Sequence, residues 1–308
     1  EKKFEITTLD FKKNLGLISK QERALLETKL DKKNLIQLGE NLRLFKKYFD
    51  AKLLIKEEKK DSKFNEFNVI YSKLENKLFS WFLKKNNNSN FISLHQSFRE
   101  KGIVMCIGDK GYPHLAYTTI MMVREVFNCD LPFELFYLGE SDLSLKNKKK
   151  FESIVGVTLI NLETMLDNNI LKLKGYDMKP FACLFSSFKE VLLMDSDTVF
   201  LKSPLTFFLQ SNYIKTGTLF FHDRQVKDFH FGIFKTSNFI KSYLPKTIPK
   251  AVLNLNILNW KTDHEQESGV VLIDKSKHLV GLLASCSLFQ EGYRDILYYY
   301  TPGDKETF

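Results

Sequence analysis

The stretch that most constrains the fold of this chain is a short apolar run that ends in two closely spaced aspartates. Residues 191–194 are Val-Leu-Leu-Met, and Asp195 and Asp197 follow with one serine between them. A short apolar run of this kind is typical of a buried strand. If the chain stays extended, residues two apart point to the same side, so both carboxylates would face one way. The pattern therefore predicts a buried strand whose carboxyl end presents two acidic side chains.

Two interpretations of this acidic pair are open from its spacing alone. Paired carboxylate oxygens suit Mg²⁺ or Mn²⁺, which proteins usually hold with a few carboxylates and the phosphates of a substrate. In the other interpretation, one aspartate caps a turn and the other faces solvent.

Strands and helices alternate on both sides of the acidic pair. Further strands are predicted at 102–107, 132–138, 157–160, 218–221 and 269–273, and helices at 113–127, 144–154 and 277–289 and after Pro180. This alternation predicts an α/β fold with a mixed, mostly parallel sheet. Because ligands bind beyond the carboxyl ends of parallel strands, the aspartates lie where a ligand is expected.

The first part of the chain, residues 1–97, reads instead as helical. Ser19 and Glu22 have the spacing of a helix-starting capping box. Apolar residues then recur at intervals of three and four, as in Leu38, Leu42, Phe45 and Phe49. We therefore expect a helical N-terminal region at 1–97, packed on a catalytic domain at 98–308.

Charge and hydropathy narrow the range of partners. The chain has 308 residues and a net charge of +9. No apolar run approaches the roughly 18 residues that a membrane-spanning helix needs. The basic residues are not interleaved with aromatics in a nucleic-acid-binding motif, so nucleic acid is not an expected partner. A basic surface would also suit an anionic sugar nucleotide.

Five more polar residues stand at the ends of predicted elements. Lys179 begins a helix, Arg224 follows a strand, and Asp304 follows a glycine near the end of the chain. Gln266 and Glu267 belong to a polar stretch before a strand, which we interpret as a loop. Each is a candidate for ligand contact, and each also fits an ordinary surface position.

The motif Asp195-Ser196-Asp197-Thr198 also resembles the nucleophile loop of haloacid-dehalogenase-type phosphatases. In that family the first aspartate is phosphorylated, and its strand opens the catalytic core. Here three predicted strands come first, and no glycine follows in the next residues of the loop. Both features disfavour a phosphatase.

Four segments together resemble the fungal Golgi α-1,3-mannosyltransferases. Residues 179–199 contain the motifs Lys-Pro-Phe-Ala and Asp-Ser-Asp, and the stretches 102–107, 264–275 and 303–308 agree with them. The resemblance covers about 98–308. It implies a retaining enzyme of the GT-A fold that transfers mannose from GDP-mannose, with Mn²⁺ as cofactor. The acceptor would be a mannose-terminated oligosaccharide on a glycoprotein or on cell-wall mannan. The linkage would be α-1,3, with α-1,2 as the alternative.

The resemblance also implies roles for Asp195, Asp197 and Lys179 on the donor side, to which Arg224 is added from its position after a strand alone. Asp195 and Asp197 would approach the metal ion and the ribose. Lys179 would contact the donor, and Arg224 is a candidate for its phosphates, since arginine suits bidentate contact.

Three residues are candidates for the catalytic side. Asp304 matches a Gly-Asp position near the transferred sugar. Glu267 and Gln266 are candidates for the acceptor side or the β-face of the sugar. No protein nucleophile is required if the leaving phosphate takes the acceptor proton.

The resemblance further implies a setting in the Golgi lumen, with a type II membrane anchor upstream of residue 1. Other Golgi mannosyltransferases would be partners in a complex. Many enzymes of this fold take a third metal ligand, commonly a histidine, from a later segment. None of the six histidines is assigned that role, and we expect part of the catalytic domain to follow Phe308. A non-catalytic glycan-binding homologue is a further alternative.

Overall fold

The protein is described here by a computed structural model. The described residues are 18–55, 62–84, 90–224, 233–244, 248, 250–262, 264–301 and 303–308. The parts of the predicted helical region at 1–17, 56–61 and 85–89 lie outside them.

The described elements follow the predicted order closely. The strands are β1 Arg99–Cys106, β2 Phe133–Tyr137, β3 Val157–Asn161, β4 Phe188–Met194, β5 Thr218–His222 and β6 Gln266–Asp274. The helices are α1 Lys20–Glu27, α2 Leu35–Leu54, α3 Ser62–Leu78, α4 Phe91–Ser97, α5 Pro113–Met121, α6 Leu145–Glu152, α7 Asn168–Leu171, α8 Met178–Phe185, α9 Ser211–Thr216, α10 Ile233–Tyr243, α11 Lys250–Leu253, α12 Lys275–Leu288 and α13 Tyr293–Tyr300. Helix α5 continues into a π turn at Met122–Val126 instead of running as one α-helix to residue 127.

The six strands form one sheet in the order β3-β2-β1-β4-β6-β5. The first four strands are parallel to one another. Strand β6 runs antiparallel to both β4 and β5. The predicted α/β fold with a mixed, mostly parallel sheet is therefore confirmed, and the reversed strand β6 lies beside the acidic strand β4.

Strand β4 is buried on both faces, as its apolar sequence predicts. Val191 and Leu193 pack into one hydrophobic cluster, and Leu192 and Met194 pack into a second. Because alternate residues of a strand point to opposite faces, these two clusters are the two apolar layers that cover the sheet. Beyond these four apolar residues, the carboxyl end of β4 leads directly to the polar Asp195 and Asp197.

The N-terminal helices belong to the first of these layers. Ser19 and Glu22 form the predicted capping box at the start of α1. Phe45 of α2 is fully buried, and the Trp81 ring meets Phe181 of α8 edge-on with their centroids 5.0 Å apart. The helical region therefore supports α8, the helix that carries Lys179. No described helix is both long and apolar enough to span a membrane.

The start of β6 corrects the predicted polar loop. Gln266 and Glu267 already belong to the strand, because they pair with His222 and Phe221 of β5. Their polar side chains hid this part of the strand from the sequence pattern.

Lys275, the first residue of α12, is completely buried. Its Nζ donates hydrogen bonds to the carbonyl oxygens of Ser186 (2.6 Å) and Leu184 (3.2 Å). Burial lowers the pKa of its ammonium group to about 7. Since both acceptors lie where α8 ends and β4 approaches, Lys275 ties the helix that carries Lys179 to the strand that ends at Asp195.

The low pKa of Lys275 predicts a pH-dependent contribution to stability. Between pH 7 and about 10, the unfolded chain keeps a proton on this lysine that the folded protein has lost, so the free energy of unfolding should rise with pH. The Lys275→Met variant lacks this contribution. The parent should gain stability over it by up to about 1.4 kcal/mol per pH unit in that range, as measured by urea unfolding at several pH values. The control is Lys277→Met, since Lys277 is exposed, and its difference from the parent should not change with pH. Parallel pH profiles for the parent and Lys275→Met would contradict the prediction.

Candidate active site

The two aspartates lie in a turn at the end of β4. The Asp195 N–H donates to the carbonyl oxygen of Gly269 (2.9 Å), which extends the pairing of β4 with β6 by one residue. The Thr198 N–H then donates to the Asp195 carbonyl (3.1 Å), so the chain turns at once. The expectation that both aspartates continue an extended strand is therefore wrong. The Asp195 side chain is 33% exposed, whereas Asp197 is an exposed residue of the turn.

A threonine of α5 holds this acidic turn in place. The Thr119 hydroxyl lies 3.1 Å from the carbonyl oxygen of Ser196 and 3.2 Å from that of Thr198. The Thr198 hydroxyl in turn reaches the Gly269 carbonyl at 3.3 Å. The sequence carries no signal for Thr119, because a threonine on a helix is ordinary.

Lys179 is the central residue of the site. Its Nζ lies 2.8 Å from Asp195 Oδ1 and 3.3 Å from Asp304 Oδ2. Its side chain is only 6% exposed, and that of Asp304 only 5%. The interpretation of Lys179 as an exposed lysine at a helix start is therefore wrong. The structure brings together three of the predicted site residues from α8, the end of β4 and the C-terminal segment. We call them the Lys179 cluster.

The charges of this cluster shift two of its pKa values. Burial alone would lower the pKa of Lys179, but the charges of Asp304 and Asp195 outweigh it and raise that pKa above its usual value. Burial also raises the pKa of the Asp195 carboxyl; Lys179 opposes this shift, while Asp304 and Asp197 add to it. Two carboxylates thus share one ammonium group, and the nearby charge of Asp197 adds to a surplus of negative charge at the site.

The C-terminal segment is fixed from two directions. Asp177, in the turn before α8, accepts hydrogen bonds from Arg294 (3.1 Å) and from the Tyr298 hydroxyl, both on α13. Glu306 accepts a hydrogen bond from the Glu265 N–H at 3.0 Å. These contacts carry Asp304 to Lys179, and sequence reasoning did not assign them.

Glu267 lies beside the cluster. Its Oε1 accepts a hydrogen bond from the Gly269 N–H at 2.9 Å. A methyl group placed on Gly269 would lie 3.4 Å from Glu267 Oε1 and 3.6 Å from Asp195 Oδ2. The two carboxylates therefore lie near the same side of Gly269.

Gln266 and Arg224 are not joined to the Lys179 cluster. The buried Gln266 Nε2 finds no hydrogen-bond partner among the described residues. Arg224 is exposed just after β5, and its side chain forms no ion pair within the described part of the chain. In the sequence, Gln266 and Arg224 are candidates for the site only because they lie at the ends of strands.

The carboxylate oxygens at the turn are suited to a hard cation, but they supply only some of its ligands. No group of three or more histidine, cysteine, aspartate or glutamate residues in the described part of the chain is placed to hold a metal ion. Asp195 and Asp197 nevertheless offer carboxylate oxygens from one partly exposed turn. Mg²⁺ and Mn²⁺ are commonly bound through one or two carboxylates together with phosphate oxygens of a substrate. The residues present are consistent with that mode of binding.

The fold and the cluster agree with a comparison to known protein families. A family model of mannosyltransferases matches residues 100–308, and the chain belongs to this family. The match includes Lys179, the acidic turn and Asp304. The haloacid-dehalogenase interpretation of the acidic motif is therefore dropped.

Individual relatives are more distant. The chain is 28% identical over 252 residues to the alpha-1,3-mannosyltransferase MNT3 of Saccharomyces cerevisiae, covering 72% of this chain and 39% of the relative. It is 27% identical over 248 residues to the alpha-1,2-mannosyltransferase MNN21 of Candida albicans, covering 68% and 37%. The chain spans about a third of the length of the curated relatives it matches. An X-ray structure of the mannosyltransferase Ktr4p from S. cerevisiae aligns with a TM-score of 0.42 and 15% identity, covering 97% of this chain and 79% of that one.

Removing the ammonium group of Lys179 should destabilise the fold. The Lys179→Met variant leaves the buried Asp304 carboxylate without its partner, which typically costs about 3–5 kcal/mol. The double variant Lys179→Met, Asp304→Asn should lose less than the sum of the single variants, because the two residues interact directly. Urea unfolding of the four proteins measures this coupling.

The control for this experiment is an exposed ion pair. Lys172 and Glu291 lie 2.9 Å apart with side chains 56% and 49% exposed. Lys172→Met should cost at most about 1 kcal/mol. If Lys179→Met costs no more than this control, the Lys179 cluster is not the structural centre described here.

Proposed function

We propose that this chain is the GT-A-type catalytic domain of a retaining α-mannosyltransferase. It transfers mannose from GDP-mannose to a mannose-terminated oligosaccharide, and the bond that it forms is α-1,3. The observation that carries the proposal is the buried Lys179 ammonium between Asp195 and Asp304, at the carboxyl end of β4, in a chain of a mannosyltransferase family.

Asp195 and Asp197 are proposed to bind Mn²⁺ together with the diphosphate of the donor. The surplus of negative charge at the turn supports this assignment, because a divalent cation would offset it. When bound, the ion supplies positive charge that stabilises the departing diphosphate.

Lys179 is proposed to contact the donor and to fix the carboxylates of Asp195 and Asp304. Its buried position means that the charge is poorly screened by water and acts strongly at short range. Asp304, held by Lys179, is proposed to lie beside the transferred mannose, with Glu267 on the acceptor side.

The proposed transfer needs no protein nucleophile. A hydroxyl oxygen of the acceptor bonds to C1 of mannose as the bond from C1 to the β-phosphate oxygen breaks. The electron pair of that bond leaves with GDP, and the hydroxyl proton passes to the leaving phosphate. Retention then requires that the hydroxyl approach from the side on which GDP departs.

The α-1,3 linkage is the finer part of the proposal. Relatives named for α-1,3 and for α-1,2 transfer match at nearly equal identity, so linkage analysis of the product is the experiment that decides it. We also propose that the protein acts in the Golgi lumen on glycans of glycoproteins or of cell-wall mannan. A type II membrane anchor would lie upstream of residue 1, and other mannosyltransferases would be partners in a complex.

The proposal predicts that transfer depends on both aspartates. With labelled GDP-mannose, Mn²⁺ and an α-mannoside acceptor, the protein should form a labelled, longer product. Asp195→Asn and Asp197→Asn should each lower kcat by about a hundredfold or more, since each weakens charge stabilisation in the transition state. The control Asp295→Asn changes an exposed aspartate on α13 and should leave kcat unchanged.

A binding measurement gives a second readout. Calorimetry should show that Mn²⁺ strengthens GDP binding by the parent and by Asp295→Asn but not by the two turn variants. If Mn²⁺ has no effect on GDP binding by the parent, the metal assignment is wrong. Mannoside binding with no turnover under any of these conditions would favour a non-catalytic homologue.

A further inference from the structure

A cleft of about 510 Å³ opens directly beside the acidic turn. Thr198, the residue after Asp197, lines one end of it together with Gly269 and Glu267 of β6. The cleft therefore begins where the carboxylates of Asp195 and Glu267 approach Gly269. A molecule bound in it would extend to the place where the proposed mannosyl transfer occurs.

The walls of the cleft are mainly apolar and aromatic. Phe221 of β5 and Phe207 lie edge to face with their centroids 5.9 Å apart, and both line the cleft. Phe207 also packs against the buried Phe200, at 5.8 Å between centroids. Val199, which is 71% exposed, lines the cleft beside them. Phe200, Phe207 and Phe221 therefore form one continuous aromatic wall of the cleft.

The cleft also has polar groups, and they are few. Glu267 stands at the end near Asp195, and Lys202 and Thr206 also line the cleft. Binding sites for small molecules commonly combine apolar and aromatic walls with a few such polar groups that set orientation.

The apolar, aromatic walls and the few polar groups of the cleft together favour one class of ligand over others. A nucleoside diphosphate does not suit these walls, because among mainly apolar side chains its phosphates would meet one lysine, Lys202, and the Glu267 carboxylate. A wholly apolar ligand would take that carboxylate out of water without adding any hydrogen bond to it, which is costly. A sugar ring meets both requirements, since it packs C–H groups on an aromatic face and donates hydroxyl hydrogen bonds at its edge.

We propose that this cleft is the acceptor subsite, and that the terminal mannose of the acceptor packs on Phe221 and Phe207 with hydroxyl groups directed to Glu267. The proposal rests on the transferase function proposed above and names the part of the site that receives the acceptor. Donor and acceptor then bind to different residues, the donor at the acidic turn and the acceptor between β5, β6 and the segment after the turn.

The neighbouring phenylalanines Phe221 and Phe220 provide a matched test. They are 37% and 38% exposed, but Phe220 does not line the cleft. Phe221→Ala should raise the KM for an α-linked mannobiose acceptor about tenfold or more. It should leave the KM for GDP-mannose, and the hydrolysis of GDP-mannose without acceptor, within about twofold of the parent. Phe220→Ala should change none of these values. Phe221→Leu keeps apolar bulk but removes the flat ring, and should also raise the acceptor KM.

Saturation-transfer NMR with the same mannobiose tests the cleft without any turnover. The parent and Phe220→Ala should transfer saturation to the sugar protons, and Phe221→Ala should transfer much less. The proposal is overturned if Phe221→Ala and Phe220→Ala have the same KM for the acceptor and the same NMR saturation transfer. It is also overturned if Phe221→Ala raises the KM for GDP-mannose as much as the KM for the acceptor. If the parent cleaves no GDP-mannose at all, the transferase proposal fails, while the NMR comparison still decides whether the cleft binds mannosides.

Discussion

A lysine that stays charged while it is buried needs negative partners, and the arrangement of the whole site follows from meeting this need at Lys179. Burying this charge alone would be too costly, so the first turn of α8 can be buried with Lys179 charged only where carboxylates reach it. Asp195 arrives from the end of β4 and Asp304 from the C-terminal segment. The contacts of Asp177 with Arg294 and Tyr298, and of Lys275 with the end of α8, hold these elements at the distances that the ion pairs require.

The second constraint is the direction of β6. In a fully parallel sheet, only the carboxyl ends of strands would lie at the end of the sheet where β4 finishes. Because β6 is antiparallel, its beginning lies at that end, and Glu267 and Gly269 meet the acidic turn there. The reversed strand also brings the chain before it, with Glu265, to the C-terminal Glu306. One change of strand direction thus places residues from three distant parts of the sequence around a single turn.

Local periodicity explains what could be predicted. The alternation of strands and helices, the buried strand at 191–194 and the capping box at Ser19 depend on neighbouring residues, and all are confirmed. The contact of Lys179 with Asp304 is a long-range pairing that no local pattern contains. The beginning of β6 is polar in sequence, so a local pattern predicts a loop there, and only its pairing with β5 shows that it is part of the strand. The local pattern also predicts an extended chain at the two aspartates. It misses the turn because hydrogen bonds with the distant residues Thr119 and Gly269 decide the shape of this segment.

The position of Phe221 shows that two parts of the proposed site lie on different strands. This residue belongs to β5, an edge strand of the sheet, whereas the Lys179 cluster depends on the central strand β4. Phe221 is exposed and belongs to neither of the two apolar layers. The donor side and the acceptor side that we propose are therefore supported by different strands. If these assignments hold, substitutions at Phe221 would change acceptor preference and leave the proposed donor-binding framework unchanged.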